Sequence, residues 1–266
     1  MIIIGEKINS TIKSVRDAIE KHDSLFIQDL AEKQCKAGAN YIDVNAGMFY
    51  DNEPENLEWL VKTVQEGTDA PMAFDSPNPA ALEKALKVNK NGKPIINSIT
   101  DEKERYESIL PLILEYNTSV IALCMDDSGM PETIEDRFLV AERLIDKLTS
   151  KGVNPCDIYI DPMVRPIGTG SHYGITAIET IRIVKSKYPE VHIACGLSNI
   201  SFGLPGRKVF NQAFLIAAMT AGLDGAILDP LDKKLMTFLY ATEALLGQDE
   251  FCMNFLTKYR EGVLDI

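Results

Sequence analysis

Acidic and amide residues stand at the ends of eight short apolar runs in this chain, and they define the chemistry that the sequence can support. A carboxylate can accept hydrogen bonds from two adjacent N–H groups of a flat heterocycle, whereas an amide offers one donor and one acceptor edge. Such a set suits an aminopyrimidinone ring, which presents an amino group and a ring N–H beside a carbonyl. A phosphate would instead require glycine-rich amides or basic groups. The residues are Glu6, Asn9, Asp43, Asn45, Asp75, Asn97, Asp126, Asp161, Asn199 and Asp229.

The apolar runs before these residues have the length and β-branched content of buried strands. Each is followed by a longer amphipathic segment, and the runs begin at Ile2, Tyr41, Pro71, Pro94, Val120, Ile158, His192 and Gly225. Strand then helix, repeated eight times, predicts an α/β fold, the (β/α)8 TIM barrel, with its active site at the carboxyl ends of the strands. The acids and amides should therefore converge on one mouth. Because 266 residues fit one barrel, we expect residues 1–266 to form a single domain.

The amphipathic segments predict the helices of this barrel. The first covers residues 14–37, and it can divide into two helices at His22, Asp23 and Ser24. Gly38, Gly152 and Gly222 stand where helices should stop. The remaining helices are expected over 54–64, 79–88, 101–116, 131–150, 175–187, 207–221 and 231–246, with a short extra helix over 251–259.

Composition excludes several classes of function. The net charge of −12 argues against nucleic-acid binding, because no basic stripe is available to displace counterions. No apolar run approaches the roughly 20 residues that span a bilayer. The amino-terminal segment MIIIGEKIN lacks the basic region of a signal peptide and is expected to be the first strand. These features predict a cytoplasmic protein without a membrane partner.

The cysteines and histidines do not have the spacing of a metal site. The five cysteines contain no CxxC pair, so we expect reduced thiols, mostly packed as small buried hydrophobes. The three histidines are too dispersed for a ligand set, and His192, at the start of a strand, is expected to have a structural role. We therefore predict no metal on this chain.

Seven segments, read together, resemble a known family. They are GEKINST, IDVNAG, FDSPNP, INS, YIDP, GLSNISFGLPGR and ILDP, in this order along essentially the whole chain. The set resembles the pterin-binding methyltransferases, most of all the methyltetrahydrofolate:corrinoid protein methyltransferases and the folate module of cobalamin-dependent methionine synthase. GLSN-x-S, with an arginine eight residues after the asparagine, is the most specific element. The resemblance implies that tetrahydrofolate or its 5-methyl form is the substrate, and that a partner protein carries a corrinoid (cobalamin).

The resemblance also implies roles for individual residues. Asp75, Asn97 and Asp161 would hold the pterin ring. Asn199 would hydrogen-bond near N5, which carries the methyl group, and Arg207 would lie beside the same pocket. Acetogenic relatives have Gln at the position of Phe202, so stacking or packing is expected there. The candidate substrate-binding residues are Glu6, Asp43, Asp75, Asn97, Asp161, Asn199, Phe202, Arg207 and Ile227, and the candidate catalytic residues are Asn199 and Asp161.

The expected mechanism follows from the weakness of a neutral tertiary amine as a leaving group. N5 must gain positive character as its bond to carbon breaks, while cobalt(I) of the corrinoid attacks the methyl group in line. The amide of Asn199 can turn to accept from a protonated N5 or donate to the free amine. No strong general acid is expected at N5, and the proton would arrive through water or a network that includes Asp161.

Several assignments remain open from the sequence. Asp75 could cap the following helix instead of binding a ligand. Lys7 and Arg165 could contact the anionic tail of folate, and His172 could either contact the corrinoid or be a solvated loop residue. Asp126 is carried over only weakly, because relatives often have Asn there.

Three other functions are compatible with parts of the pattern. A dihydropteroate synthase-like enzyme would share the barrel, but this chain lacks the Ser-Thr-Arg-Pro-Gly loop after the second strand and has Ser198 and Asn199, not a basic residue, near the end of the seventh strand. A folate-binding subunit without turnover would not need Asn199. A metal-dependent hydrolase or aldolase would need clustered His or a strand-end Lys.

The resemblance to the methyltransferase family also implies a homodimer. It further implies a role in anaerobic one-carbon metabolism, in either direction, acetyl synthesis or demethylation.

Overall fold

Eight parallel strands form a closed barrel in the computed structural model, which describes residues 1–266. Each strand pairs with its neighbours in sequence, and the first pairs with the last. The predicted TIM barrel is therefore confirmed. The strands are β1 Ile2–Asn9, β2 Tyr41–Asn45, β3 Met72–Asp75, β4 Ile95–Ile99, β5 Ser119–Leu123, β6 Ile158–Asp161, β7 His192–Gly196 and β8 Gly225–Leu228.

Ten α-helices surround or follow these strands. The first predicted segment does divide, because Asp23 caps a new helix by accepting a hydrogen bond from the Phe26 N–H. No helix is long and apolar enough to cross a membrane. The helices are α1 Lys13–Glu20, α2 Ser24–Lys36, α3 Glu53–Gly67, α4 Pro79–Val88, α5 Lys103–Tyr116, α6 Ile134–Ser150, α7 Tyr173–Lys187, α8 Arg207–Ala221, α9 Lys233–Leu245 and α10 Met253–Arg260.

Some predicted helix starts were too early, and capping explains the difference. Thr133 and Asp232 cap α6 and α9, so these helices begin after residues that were assigned to them from periodicity. Gly38 and Gly222 do end α2 and α8 with positive φ angles of 110° and 115°.

Two apolar layers position the barrel. The larger fills the space between the strands and the outer helices, and the smaller lies inside the barrel, where Ile227 packs against it. Two cysteines depart from the expected burial, since Cys156 and Cys252 lie exposed in short turns before β6 and α10. The buried residues of the inner layer are Ile4, Ala73, Ile95, Ile121, Tyr159 and Ala194.

Strand register brings three polar residues to one level of the barrel. Asn45 on β2 is the register partner of Asp75 on β3, and Asp75 is the partner of Asn97 on β4. Because all three stand at the carboxyl ends of adjacent strands, their side chains can act on one ligand. His192 begins β7 at the opposite end, where Nδ1 lies 2.9 Å from Asp224 and the ring stacks on Tyr159. Its contacts are those expected of a structural residue.

Candidate functional site

A polar cavity of about 400 Å³ opens at the carboxyl ends of the strands. This volume lies within the usual range for a small-molecule site. Seven of the nine predicted substrate-binding residues line it, and Asp161 and Phe202 do not. The lining residues are Glu6, Lys7, Asn9, Thr11, Ile12, Asp43, Asp75, Asn97, Gly196, Ser198, Asn199, Arg207 and Ile227.

Carboxylates and amides pair with each other along β2, β3 and β4. The Asn45 side-chain N–H donates to a carboxylate oxygen of Asp75 over 2.9 Å, and that of Asn97 donates to Asp43 over 3.2 Å. Asn78 caps α4 by accepting from the Ala80 N–H, so Asp75 is not the cap of that helix. This side of the cavity therefore presents a row of acceptor and donor groups.

The acids of the cavity share a low tendency to ionise. Burial, and next the charge of Asp229, raise the pKa of Glu6 to about 7 against the opposing effects of Lys7 and Arg207. Burial also raises the pKa of Asp75 to about 6, although the hydrogen bond from Asn45 works in the other direction.

Asp43 is the most strongly affected acid of the cavity. It is 2% exposed, and burial together with the nearby Asp75 raises its pKa well above the usual value. Ionising three carboxyl groups in one cavity is unfavourable, and a ligand that donates hydrogen bonds to them offsets this cost. Such a cavity favours a ligand that is rich in N–H groups.

The β7 side of the cavity is built differently. A short 3-10 helix over Leu197–Ser201 carries Asn199, which is exposed at the opening and whose side chain makes no hydrogen bond within the protein. The guanidinium of Arg207 anchors this turn by donating to the Ser198 carbonyl oxygen over 2.8 Å. A Cβ at Gly196 would lie 3.0 Å from the Asn199 amide nitrogen, so a side chain here would displace that amide. The free amide of Asn199 is therefore available to a ligand.

Asp161 lies just behind this part of the cavity. It is 7% exposed, and its carboxylate accepts from the Met163 N–H over 2.7 Å and from the Gly196 N–H. Burial raises its pKa to about 6, whereas these two hydrogen bonds and the charge of Arg137 oppose the shift. Since Gly196 lines the cavity and Asp161 does not, Gly196 separates the Asp161 carboxylate from the cavity.

Phe202 is the predicted site residue that lies farthest from expectation. Its ring is 67% exposed, and the nearest charged group is the Arg207 guanidinium, 5.9 Å from the ring centre. It follows the turn that carries Asn199 and does not line the cavity.

Of the remaining residues whose roles the sequence did not decide, one lines the cavity and the others lie outside it. Lys7 lines the cavity and pairs with Asp229 over 2.9 Å, whereas Arg165 pairs with Glu132 outside it. Asp126 pairs with Arg143 over 2.6 Å, away from the lining. His172 is exposed beside Tyr173 at the start of α7.

Asn45 is the site residue that sequence reasoning did not carry forward. It stands two residues after Asp43 on β2, and alternate residues of a strand point the same way, so its spacing was the available signal. Besides Asp75, its side chain contacts the Ser10 hydroxyl and the Gly47 N–H, which hold the β1 and β2 loops together.

The cavity lies within a region that this chain shares with known proteins. The family model for pterin binding enzymes matches residues 5–229, which include every residue of the cavity. The chain belongs to this family. The family predicted from the motifs is thereby confirmed, and the cavity stands at the end of the barrel where enzymes of this fold hold their ligands.

Two relatives of known activity are similar in sequence to this pterin-binding enzyme. It is 38% identical over 265 residues to a methylcorrinoid:tetrahydrofolate methyltransferase from Eubacterium limosum, covering 98% of this chain and 97% of that protein. It is 32% identical over 240 residues to methionine synthase from Mycobacterium tuberculosis (strain ATCC 25618 / H37Rv), covering 85% of this chain. That match spans only 20% of the methionine synthase.

Solved structures of other proteins share the architecture. Dihydropteroate synthase from Xanthomonas albilineans, in complex with 7,8-dihydropteroate, superposes with a TM-score of 0.69 at 14% identity over 94% of each chain. Dihydropteroate synthase from Thermus thermophilus gives a TM-score of 0.66 at 14% identity, covering 92% of this chain and 93% of that one. At these identities the likeness shows the fold alone.

Proposed function

We propose that this protein transfers a methyl group between N5 of tetrahydrofolate and the cobalt of a corrinoid that a partner protein carries. The observation that carries the proposal is the similarity to the methylcorrinoid:tetrahydrofolate methyltransferase, which extends over almost the full length of both chains. The cavity supports it, because a row of carboxyl and amide groups faces an unpaired amide across the opening. The row of carboxyl and amide groups suits the pterin ring, and the unpaired amide of Asn199 suits N5.

In this mechanism the chain binds and orients folate. Asp75 and Asn97 would receive and donate hydrogen bonds at the pyrimidinone edge, with Asp43 and Glu6 completing the polar lining and Ile227 forming the floor. Asp161 would fix the turn at Gly196 and take part in the proton route. Holding the methyl group in line supplies much of the acceleration, because orientation replaces an entropic cost.

Asn199 would act at the reacting nitrogen. Its amide can accept a hydrogen bond from protonated N5 and donate one to the free amine, so it can favour the charge that develops there. Arg207 holds the Ser198 carbonyl and the Ser201 hydroxyl on either side of Asn199, and so fixes this turn. The bound corrinoid supplies the cobalt nucleophile, and no metal is assigned to this chain.

A direct assay tests the activity. Mixing the protein with methyltetrahydrofolate and free cob(I)alamin should give loss of the cob(I)alamin absorbance, and methylcob(III)alamin with tetrahydrofolate should give the reverse reaction. Tight folate binding without either reaction would identify a folate-binding subunit. Condensation of a pterin pyrophosphate with p-aminobenzoate would contradict the proposal and identify a dihydropteroate synthase.

We extend the proposal to a cytoplasmic homodimer in anaerobic one-carbon metabolism. Apolar side chains stand exposed on the adjacent helices α7 and α8, among them Ile175, Ile183 and Val209 at 54%, 41% and 68% exposure. A second copy would remove this surface from water.

The dimer makes a specific prediction. Because a charge opposes burial of an apolar face, Ile183→Asp should halve the mass measured by sedimentation equilibrium, from twice the chain mass of 29.5 kDa to a single chain. Leu245→Asp places the same charge on an exposed position of α9 and should leave the mass unchanged. A single-chain mass for the unmodified protein would contradict the dimer.

A further inference from the structure

Arg105, in the first turn of α5, donates all of its hydrogen bonds to backbone carbonyl oxygens. Nε and Nη2 reach the Ser98 oxygen over 3.1 and 2.6 Å, Nη2 also reaches the Ser76 oxygen over 2.9 Å, and Nη1 reaches that of Pro77. Ser76 and Ser98 directly follow Asp75 and Asn97, the two side chains that β3 and β4 present to the cavity, and Pro77 is the next residue after Ser76. One guanidinium thus joins the carboxyl ends of β3 and β4.

The local rules of helix formation disfavour an arginine at this position. A positive charge in the first turn opposes the helix dipole, and α5 carries an acid, Glu104, beside it. Arg105 is half-buried, forms no salt bridge, and loses part of its hydration, which lowers its pKa. The planar guanidinium fork compensates through the three carbonyls. Such a residue, costly to its own helix, is expected where it serves something outside that helix.

We propose that Arg105 is a positioning residue of the pterin site, which sets the spacing between Asp75 and Asn97 by holding the backbone that follows each of them. The proposal rests on the proposed function, because it takes these two side chains to grip the ring. A pair of groups that must match a flat ligand depends on a separation accurate to about 0.5 Å. The spacing otherwise depends on the strand pairing of β3 with β4, on the Ser76 N–H that donates to the Asn97 carbonyl oxygen over 3.1 Å, and on the side-chain hydrogen bonds from Asn45 to Asp75 and from Asn97 to Asp43.

The same construction recurs at other strand ends of this barrel. Arg137, fully buried on α6, donates to the carbonyls of Pro162 and Met163, which directly follow Asp161. Arg207 donates to the carbonyl of Ser198, which directly precedes Asn199. In each case an arginine from a helix holds the backbone next to a proposed site residue. Arg105 differs in holding two strand ends at once.

The experiment compares Arg105→Lys and Arg105→Gln with the unmodified protein. Calorimetry gives the Kd for methyltetrahydrofolate, and assays with free cob(I)alamin give kcat and KM. Thermal unfolding gives Tm. Glutamine cannot reach three carbonyls, so Kd and KM should rise by about tenfold or more, the equivalent of one lost positioned interaction of ~1.4 kcal/mol. The fall in kcat should be much smaller, since Asn199 is untouched. Lysine retains one or two of the hydrogen bonds and should give an intermediate Kd.

Arg143→Gln is the matched control. Arg143 is also partly exposed and also lies on an outer helix, but it pairs with the carboxylates of Asp101 and Asp126 and contacts no strand end of the site. It should lower Tm by a similar amount and leave Kd within about twofold of the unmodified value.

The folate affinities of these variants distinguish a positioning role from a purely structural one. If both Arg105 variants bind folate as tightly as the unmodified protein, or if Arg143→Gln weakens binding equally, Arg105 does not position the site. If Arg105→Gln does not fold, Arg105→Lys gives the same comparison. If the unmodified protein fails to bind methyltetrahydrofolate, the proposed function is overturned, and that result is separate from any difference among the variants.

Discussion

Asn199→Ala is expected to lower the rate of methyl transfer by about 10²–10³-fold, the usual loss when one positioned group that stabilises developing charge is removed. The reason lies in the free amide of Asn199, which lines the cavity without any partner in the protein. An unpaired amide beside the reacting nitrogen can follow its change of charge, whereas an alanine cannot. Pterin binding should persist in part, because Asp75 and Asn97 are unchanged.

The measurement separates these two effects. Pre-steady-state loss of cob(I)alamin absorbance gives the transfer rate at saturating methyltetrahydrofolate, and calorimetry gives Kd for the same variant. Thermal unfolding shows that the fold is retained, since Asn199 is exposed and its loss leaves no buried group unpaired. A transfer rate near that of the unmodified protein would remove Asn199 from the reaction. A much higher Kd with an unchanged transfer rate would show that Asn199 serves in folate binding alone.

The barrel could be predicted because each strand repeats one simple pattern, a short β-branched run that ends in a polar residue. Pro79 and Asn78 illustrate how local the signal is, since a proline after a capping residue marks the observed start of α4. Boundaries were missed where a cap stood inside an amphipathic stretch. Thr133 is such a cap, and helical periodicity alone does not register it.

Residues at strand ends could be placed in the cavity from the sequence, whereas residues in loops could not. Asp43, Asp75 and Asn97 occupy regular strand positions, so the topology alone brings them together. Asp126 and Phe202 follow strands by a few residues, and turns carry their side chains away from the interior. The carbonyl contacts of Arg105 have no sequence signal, because they depend on where a distant backbone oxygen points.

The identity of the ligand could not be predicted from the hydrophobic periodicity of the sequence. A ring of acids and amides is compatible with any flat heterocycle that presents N–H groups, and the segment from Gly196 to Arg207 supplied the narrower assignment by resemblance. The structure adds a physical reason for part of that segment. Gly196 leaves room for the Asn199 amide, and Arg207 holds the turn between them.

Acidification should weaken folate binding steeply, since two carboxyl groups with raised pKa values face the ring or lie directly behind it. Burial brings the pKa of Asp75 and of Asp161 from the usual 3.8 to about 6 in the unliganded protein. We propose that the bound ring reaches Asp161 as well as Asp75, and because its N–H groups favour the ionised carboxylates, binding lowers both pKa values. Affinity is therefore fully present well above pH 6 and is lost as pH falls through that value. Each group that must release a proton costs up to about tenfold in Kd per pH unit, and the two together about a hundredfold.

The comparison that isolates these groups uses Asp75→Asn and Asp161→Asn. Calorimetric titration with methyltetrahydrofolate between about pH 7.5 and 5 gives the slope of log Kd against pH for each protein. Removing one titrating group should lower the limiting slope by about one in either variant. Glu6 and the ligand itself also titrate, but they are common to all three proteins. Asp75→Asn also removes the charge that raises the pKa of Asp43, so the slope of Asp161→Asn, which lacks this coupling, gives the cleaner difference. Equal slopes would mean that neither aspartate releases a proton when folate binds, and the carboxylate grip on the ring would have to be abandoned.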